Sequence, residues 1–328
     1  MGLLKRLLPW GIALIIFYYL FKKYPITNLG VALSYVQLPY FLGFSIMYFV
    51  IVWWLDCWAL SRFFSRVGSI TSARELFVPR LASYLVMLVN YAAGQGALAW
   101  FFKREKNLPF LKSTSLVSFI VLIDLYWIVS LAFFGSCFSD LSSEKFNFLQ
   151  SLRILWVITT IGIILLAFLG KPLMKNRLFN WTSRFHIFSA FRDRNFSDYG
   201  YTLSIRFPLH MIINTSFFFF AWTFSVHISF ITVLTYLPII MLLGTIPLTP
   251  GGLGVVQLVT VTFFADKISG EVISSGQVSA SEMVILISLS AQMINFLLKG
   301  ITGMFFLRHA LSSEVSTSTI TQEIHNEA

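Results

Sequence analysis

The sequence predicts an all-α polytopic membrane protein of about six to eight transmembrane helices with two opposed re-entrant helical hairpins. Three observations predict it. Of 328 residues, 57% are hydrophobic and only 12% are charged, against roughly 25% charged in a soluble domain; mean hydropathy is +0.77. So few charges cannot cover a water-facing surface, and a bundle of spans replaces the two soluble domains that length alone would suggest. Apolar runs recur along the whole chain, and the basic residues gather in three of the segments between them.

The first run follows Lys5 and Arg6 and covers Leu7 to Phe21. The residues after it, Lys22, Lys23, Tyr24 and Pro25, offer no small-x-small cleavage site, so an uncleaved first span is expected. At about 15 residues it is short, and Lys5 and Lys23 must snorkel. Further runs lie near 38–60, 76–102, 115–138, 152–169, 207–226, 228–246, 250–265 and 282–307. A span needs about 20 residues, within roughly 17–25. The 76–102 run is too long and the 250–265 run too short.

Charge gives the orientation. Segments 61–80, 103–112 and 170–206 carry net +3, +3 and +5, whereas 139–151 and 266–281 each carry −1. The positive-inside bias places the first three in the cytoplasm, beside anionic lipid headgroups. The overall excess of +10 then records topology and requires no nucleic acid. Run 76–102 therefore has both flanks on one side, and a hairpin turning near Gly94-Gln95-Gly96 resolves the conflict; a full span with a basic outer loop is the alternative. With 207–226 running outward, 228–246 and 250–265 form a second hairpin, entered from outside and broken at Pro247 to Gly254. The last run returns to the cytoplasm, which leaves six spans, two hairpins and both termini inside. The halves share no residue-level identity, so an inverted repeat is a statement of topology only.

Residues 1–310 form one membrane domain. The Ser-, Thr- and Glu-rich tail 311–328 is expected to be disordered. Within 170–206, Phe179, Trp181, Phe185, Phe188 and Phe191 alternate with Lys and Arg, as in an interfacial helix or an aromatic-anchored basic loop. Cys57 and Cys137 lie in apolar runs without framework spacing.

The strongest local motif is Thr249-Pro250-Gly251-Gly252-Leu253-Gly254. Thr favours an N-cap and Pro the first helical position, so a helix is expected to start here with unpartnered N–H groups. The absence of bulk at Gly251, Gly252 and Gly254 would let a phosphate approach those donors and the helix dipole. A plain loop between helices is the other reading. Asp124 sits near the middle of its run, where an aspartate costs roughly 2.5–3.5 kcal/mol, so it must face the interior; Lys299 is a candidate partner. Gln292, Asn295 and Lys299 share one helix face. Asn90, Gln95 and Gln257 are uncharged and fit the same interior, as substrate contacts or as glue between helices. Asp56 and Arg62 read as snorkelling near a span end, and Arg80, Arg206 and His210, which enter spans from the cytoplasmic side, as interfacial anchors there, with contact to a phosphate headgroup as the other reading.

No Gly-rich loop with Lys-Ser/Thr, no metal spacing among the five histidines and no Gly-x-Ser-x-Gly elbow is present. No enzymatic activity, metal or other cofactor is expected.

The stretch Ile246-Pro247-Leu248-Thr249-Pro250-Gly251-Gly252-Leu253-Gly254-Val255-Val256-Gln257 resembles the signature of the lysylphosphatidylglycerol synthase transmembrane-region family, also called flippase-like, in which Pro-Gly-Gly-Leu-Gly-Val is followed by Glu. Asn90 to Trp100, then basic residues and Asp124, stand where that family has an Asn-x-x-x-Pro-x-x-x-Gly-Glu motif and a later Arg-x-x-Asp. The resemblance covers roughly residues 5–308. It implies a bacterial or archaeal inner-membrane protein that moves a lipid with a charged or glycosylated headgroup, with re-entrant helices meeting at its centre. Two departures qualify this: Gln257 replaces the usual acid, and Gly94-Gln95-Gly96 lacks the Pro and the Glu. The family's soluble aminoacyltransferase domain finds no counterpart, so lysyl transfer from tRNA is not expected. Loss of both acids favours a neutral or anionic headgroup over a cationic one.

The sequence reading is therefore a flippase-like transporter of a phospholipid or lipid-linked glycan. A membrane scaffold or accessory subunit for a glycosyltransferase in surface polysaccharide synthesis is the alternative. A small-solute transporter is disfavoured by the lack of a cation site.

Overall fold

The computed structural model describes residues 2–24, 27–68, 71–106, 108–138, 146–175, 189–192, 194–244 and 248–326. It is an all-α polytopic membrane protein. Among the described residues, five helices are long and apolar enough to cross a bilayer: Leu38–Arg66, Phe110–Cys137, Gln150–Phe168, Phe196–Thr223 and Ala280–Phe306. They belong to α3 (Leu38–Arg66), α6 (Phe110–Phe138), α7 (Phe146–Lys175), α9 (Phe196–Thr223) and α13 (Ala280–Asn326). Helix α1 (Gly2–Lys23) has 22 residues, about 33 Å at 1.5 Å each, so the first helix is longer than its apolar core suggested. Short helices α2 (Leu29–Ser34), α8 (Ser189–Arg192) and α12 (Glu271–Ser274) lie between the long ones.

The run 76–102 is two helices, α4 (Ala73–Val89) and α5 (Tyr91–Glu105). The turn is at Asn90 and not at Gly94-Gln95-Gly96. Asn90 adopts extended φ and ψ, its N–H closes α4 on the Val86 carbonyl, and its Oδ1 accepts the Ala93 N–H at 3.0 Å to open α5. An asparagine serves as an N-cap because its short side chain reaches the first free amides. Gly94 has a different role. A Cβ there would stand 2.1 Å from Met87 Cγ and 2.9 Å from the Ser83 carbonyl, so the arms close only over a glycine. At the mouth, Ser72 and Glu75 form a reciprocal cap, and Lys106 donates to the Glu75 carboxylate. That lysine, followed by the Ser72 amide and hydroxyl, holds the Glu75 carboxyl below its ordinary value.

The second hairpin joins α10 (Phe230–Gly244) to α11 (Val255–Phe264). Its mouth is clasped by β1 (His227–Ile228) and β2 (Ile268–Ser269), paired antiparallel with His227 opposite Ser269. The arms of the two hairpins have 17, 15, 15 and 10 residues, the longest at the lower limit of the roughly 17–25 needed to cross and the other three below it.

The hairpins open in opposite directions. Arg66 Nε bonds Asp198 Oδ1 at 2.7 Å, which sets the end of α3 beside the start of α9, and Ser61 Oγ donates to the Thr71 carbonyl at 2.5 Å to hold the first mouth there. At the other end, the Gln37 N–H donates to the Thr223 carbonyl at 2.9 Å, next to the β1–β2 clasp. Exposed Arg62, Arg66, Arg74, Lys103 and Arg104 all gather at the first mouth.

Two boundaries differ from the sequence reading. Helix α9 starts at Phe196, eleven residues before 207, because Asp198 Oδ2 accepts the Asn195 N–H at 2.9 Å and caps it there. Thr249-Pro250 opens only a 3-10 turn, Pro250–Gly252, and α11 begins after Gly254. The sequence 311–328, expected to be disordered, runs as a continuation of α13 as far as Asn326. Of the aromatic residues in 170–206, Phe179, Trp181, Phe185 and Phe188 lie outside the described residues. Phe191 packs against a core that includes Phe119 and Tyr199.

Candidate functional site

Two polar centres form where the hairpins meet the long helices. The first is a buried ion network. Asp56 of α3, Arg80 of α4, Asp124 of α6, Arg206 and His210 of α9 are 3%, 5%, 8%, 4% and 4% exposed. Arg206 grips Asp124 with a two-pronged fork, Nε to Oδ1 at 2.7 Å and Nη2 to Oδ2 at 2.6 Å, and its Nη1 reaches Asp56 Oδ1 at 2.6 Å. Arg80 Nε and the Tyr84 hydroxyl both donate to Asp56 Oδ2, at 2.6 and 2.8 Å. His210 Nε2 lies 2.9 Å from Asp124 Oδ1. Guanidinium is the group able to span two carboxylates this way, since its planar fork of donors matches both at once.

Local sequence helps to place these groups. Pro79 precedes Arg80 inside α4, and Pro208 lies between Arg206 and His210 inside α9. A proline in a helix interior removes one N–H and bends the helix. Counting along the helices, Arg80 and Arg206 lie about 10 and 15 Å from the starts of α4 and α9. Both starts are at the basic end, so the network sits about two to three helical turns in from that end.

Several sequence expectations change here. Asp56 does not snorkel, because Leu60, Phe63 and Phe64 carry a buried apolar face past it towards Arg66. Arg80, Arg206 and His210 are network members and not interfacial anchors. Asp124 faces the interior as expected, but its partners are Arg206 and His210. Lys299 of α13 instead stands over the Tyr84 ring, 5.4 Å from its centroid, on the far side of the network from Asp124. Arg62 is exposed, in line with its reading. The network was detectable in principle: the apolar Phe63-Phe64 beyond Asp56, and the Asn195-x-x-Asp198 cap before Arg206, both mark longer helices than the runs suggested.

The second centre is the tip of the second hairpin. Gly251, Gly252 and Gly254 all have positive φ (57°, 76° and 83°), a conformation in which a side chain is strained. The loop amides are already engaged: Gly252 N–H donates to the Thr249 carbonyl at 3.2 Å, Leu253 N–H to Pro250 at 3.1 Å, and Gly254 N–H to Gln257 Oε1 at 2.7 Å. The Gln257 amide then donates to Gln292 Oε1 at 2.5 Å, and the Gln292 amide donates to the Gly251 carbonyl at 2.7 Å. This closed relay explains Gln257. The position must accept from Gly254 and donate to Gln292, and a carboxylate cannot donate. Phe296 and Ile16 stand against Gly251 and Gly254, where Cβ atoms would lie 2.3 and 3.0 Å away. The amides of Gly252 and Gly254, in the stretch expected to receive a phosphate, thus bond within the protein, as does that of Leu253 between them.

The remaining positions divide between these centres. Gln292 belongs to the relay. Asn90 forms the tip of the first hairpin, and Gln95 reaches the hydroxyl of Tyr91, beside the ion network. Asn295 shares a small groove with Ser45 and Tyr48, and its Oδ1 and the buried Thr249 Oγ1 have no hydrogen-bond partner among the described residues. The 3-10 turn packs against α4, which brings the two centres together.

Searches among curated proteins and among solved structures return no match. The family model described as "Lysylphosphatidylglycerol synthase TM region" matches residues 6–275, from α1 to the loop before α13. The matched stretch holds both hairpins, the Pro-Gly-Gly tip and every member of the ion network. With more than half the chain covered, the protein belongs to this family of membrane domains associated with lipid-related processes.

Proposed function

We propose that the protein moves a phospholipid or lipid-linked glycan across the inner (plasma) membrane. The headgroup passes between the hairpins while the hydrocarbon chains stay in lipid. One observation carries this reading: two helical hairpins entered from opposite ends meet beside a set of buried fixed charges. Charges inside a membrane domain are costly and mark substrate pathways by default, and interrupted helices meeting at depth are where transporters hold polar groups. Orientation follows from loop charge, with both termini in the cytoplasm and the first hairpin entered from there.

The test is reconstitution into liposomes with fluorescent phospholipids in both leaflets and an impermeant quencher outside. The protein is expected to expose inner-leaflet probe faster than protein-free vesicles; equal rates would sink the reading. The alternative, an accessory subunit for a glycosyltransferase, is favoured by the saturation of Arg206 with two carboxylates, which suits a static scaffold. It requires stable co-purification with such an enzyme and no lipid movement by this protein alone.

A further inference from the structure

We infer that Arg80 and Lys299 form a seat inside the membrane domain for the phosphate of a monoanionic phosphodiester lipid headgroup. The inference rests on the transporter reading and names its substrate class.

Charge balance leads to the seat. Asp124 is occupied by the Arg206 fork and by His210. Asp56 already receives Arg206, Arg80 and Tyr84. Beside these two carboxylates stand three basic side chains, Arg80, Arg206 and Lys299, so these five side chains carry one formal positive charge in excess. An uncompensated charge in a low-dielectric interior is unfavourable, and one bound monoanion neutralises it.

The excess has a location. Arg206 is saturated by its two carboxylates, but Arg80 uses only Nε; its Nη1 is buried and has no acceptor among the described residues. Lys299 has neither a hydrogen bond from its ammonium nor an ion pair among those residues. Both cations stand by the same aromatic ring, Arg80 Cζ 5.1 Å and Lys299 Nζ 5.4 Å from the centroid of Tyr84. Two phosphate oxygens fit two such donors: one accepts from the guanidinium Nη1, the other from the ammonium.

The approach of α13 to α4 is fixed one turn beyond Lys299. A Cβ at Gly303 would lie 2.7 Å from Leu85 Cβ and 3.0 Å from the Leu81 carbonyl, so the helices touch at this glycine and hold Lys299 against the Arg80 side of the network. Lys299 itself is only partly buried, so the seat is approached from its side, with Arg80 Nη1 at the buried end. One turn before it, Phe296 closes on Gly251 of the second hairpin tip. The seat therefore lies between the two hairpins. A single excess charge selects a phosphodiester, with its one negative charge, over a phosphomonoester carrying nearly two.

Ligand-dependent thermal unfolding of the full chain in neutral detergent tests the seat, with monomeric dihexanoyl phosphatidylglycerol as the probe. The wild type is expected to unfold at a higher midpoint with this lipid, and not with dihexanoylglycerol. Loss of one charge-assisted hydrogen bond predicts a roughly ten- to hundredfold weaker apparent affinity in Lys299→Met, with Lys299→Arg close to wild type. Lys299→Gln serves in its place should Lys299→Met not fold. An unchanged midpoint rise in Lys299→Met or Lys299→Gln overturns the seat, as does an equal rise with dihexanoylglycerol. An equal rise with inorganic phosphate at the same concentration overturns the assignment to a lipid. The vesicle assay reads separately. A protein that binds the phosphodiester but moves no lipid sinks the transporter and leaves the seat, whereas lipid movement indifferent to Lys299 does the reverse.

Discussion

Replacing Arg206 with leucine tests the ion network as a stabilising unit. The variant removes three charge-assisted hydrogen bonds and one partner from each of two buried carboxylates. Asp56 keeps Arg80 and Tyr84, but Asp124 keeps only His210. Breaking a buried pair by removing one partner costs about 3–5 kcal/mol, mostly from the charge left behind. With two carboxylates affected, Arg206→Leu is expected in the upper half of that range. The decisive comparison is the double variant Arg206→Leu with Asp124→Leu, which removes the orphaned carboxylate too. It should be about 1–3 kcal/mol more stable than the sum of the single losses predicts, the size of coupling found between directly contacting residues. Arg206→Lys should fall between wild type and Arg206→Leu, since a point ammonium cannot form the fork and reach Asp56 together. Reversible unfolding by SDS in mixed micelles, followed by the fluorescence of the nine tryptophans, reads these differences. An Arg206→Leu variant within about 1 kcal/mol of wild type, or strictly additive losses in the double variant, refutes the reasoning.

The same unfolding measurement separates two glycines. Gly135→Ala should cost about 1–3 kcal/mol, because its Cβ would lie 2.5 Å from Thr235 Cα, whereas Gly162→Ala meets nothing within 4 Å and should gain up to about 1 kcal/mol of helix stability; equal effects would contradict the α6–α10 contact. Gln257→Glu should destabilise by about 1–3 kcal/mol by leaving an acceptor in the relay without its donor, and an unchanged unfolding curve would show that the relay does not form. In a Cys137→Ser background, with Cys57 buried, cysteines placed at Arg74 and Lys103 should react with an impermeant maleimide from the same face of sealed vesicles; labelling from opposite faces would make 76–102 a span. The depressed Glu75 carboxyl stabilises the first mouth fully above the ordinary carboxylate value, and that contribution fades as pH falls through the lowered one. The stability difference between wild type and Glu75→Gln should therefore vanish in acid, and a difference constant with pH would refute the clasp.

Charge distribution revealed the hairpins because loop lysines and arginines report topology without reference to packing. The turn in the first hairpin was misplaced for a physical reason. A glycine permits both a sharp bend and a close helix contact, and Gly94 serves the second purpose while Asn90 makes the turn. Helix limits failed where charged residues were taken as ends: Arg62 follows Asp56, yet α3 runs to Arg66, and α9 begins well before Arg206. Partner choice lay beyond any spacing rule. Asp124 meets a guanidinium 82 residues away and Asp56 meets the same group across 150 residues. Those pairings depend on how α3, α6 and α9 pack together, and i, i+4 arithmetic along one helix is silent on that.

The relay through Gln257 and Gln292 has a mechanical consequence. Its bonds fasten the tip of the second hairpin to α13 at Gly251 and to the first turn of α11 at Gly254. In a medium without water to replace them, parting the tip from α13 would expose several amide groups at once, each at a cost of several kcal/mol. A displacement that opens a path for a headgroup is therefore cheapest when hairpin and helix travel together as one lever, hinged away from the relay. The sliding surface then falls where the tip and α13 meet α4 of the first hairpin, at which no hydrogen bond joins them among the described residues.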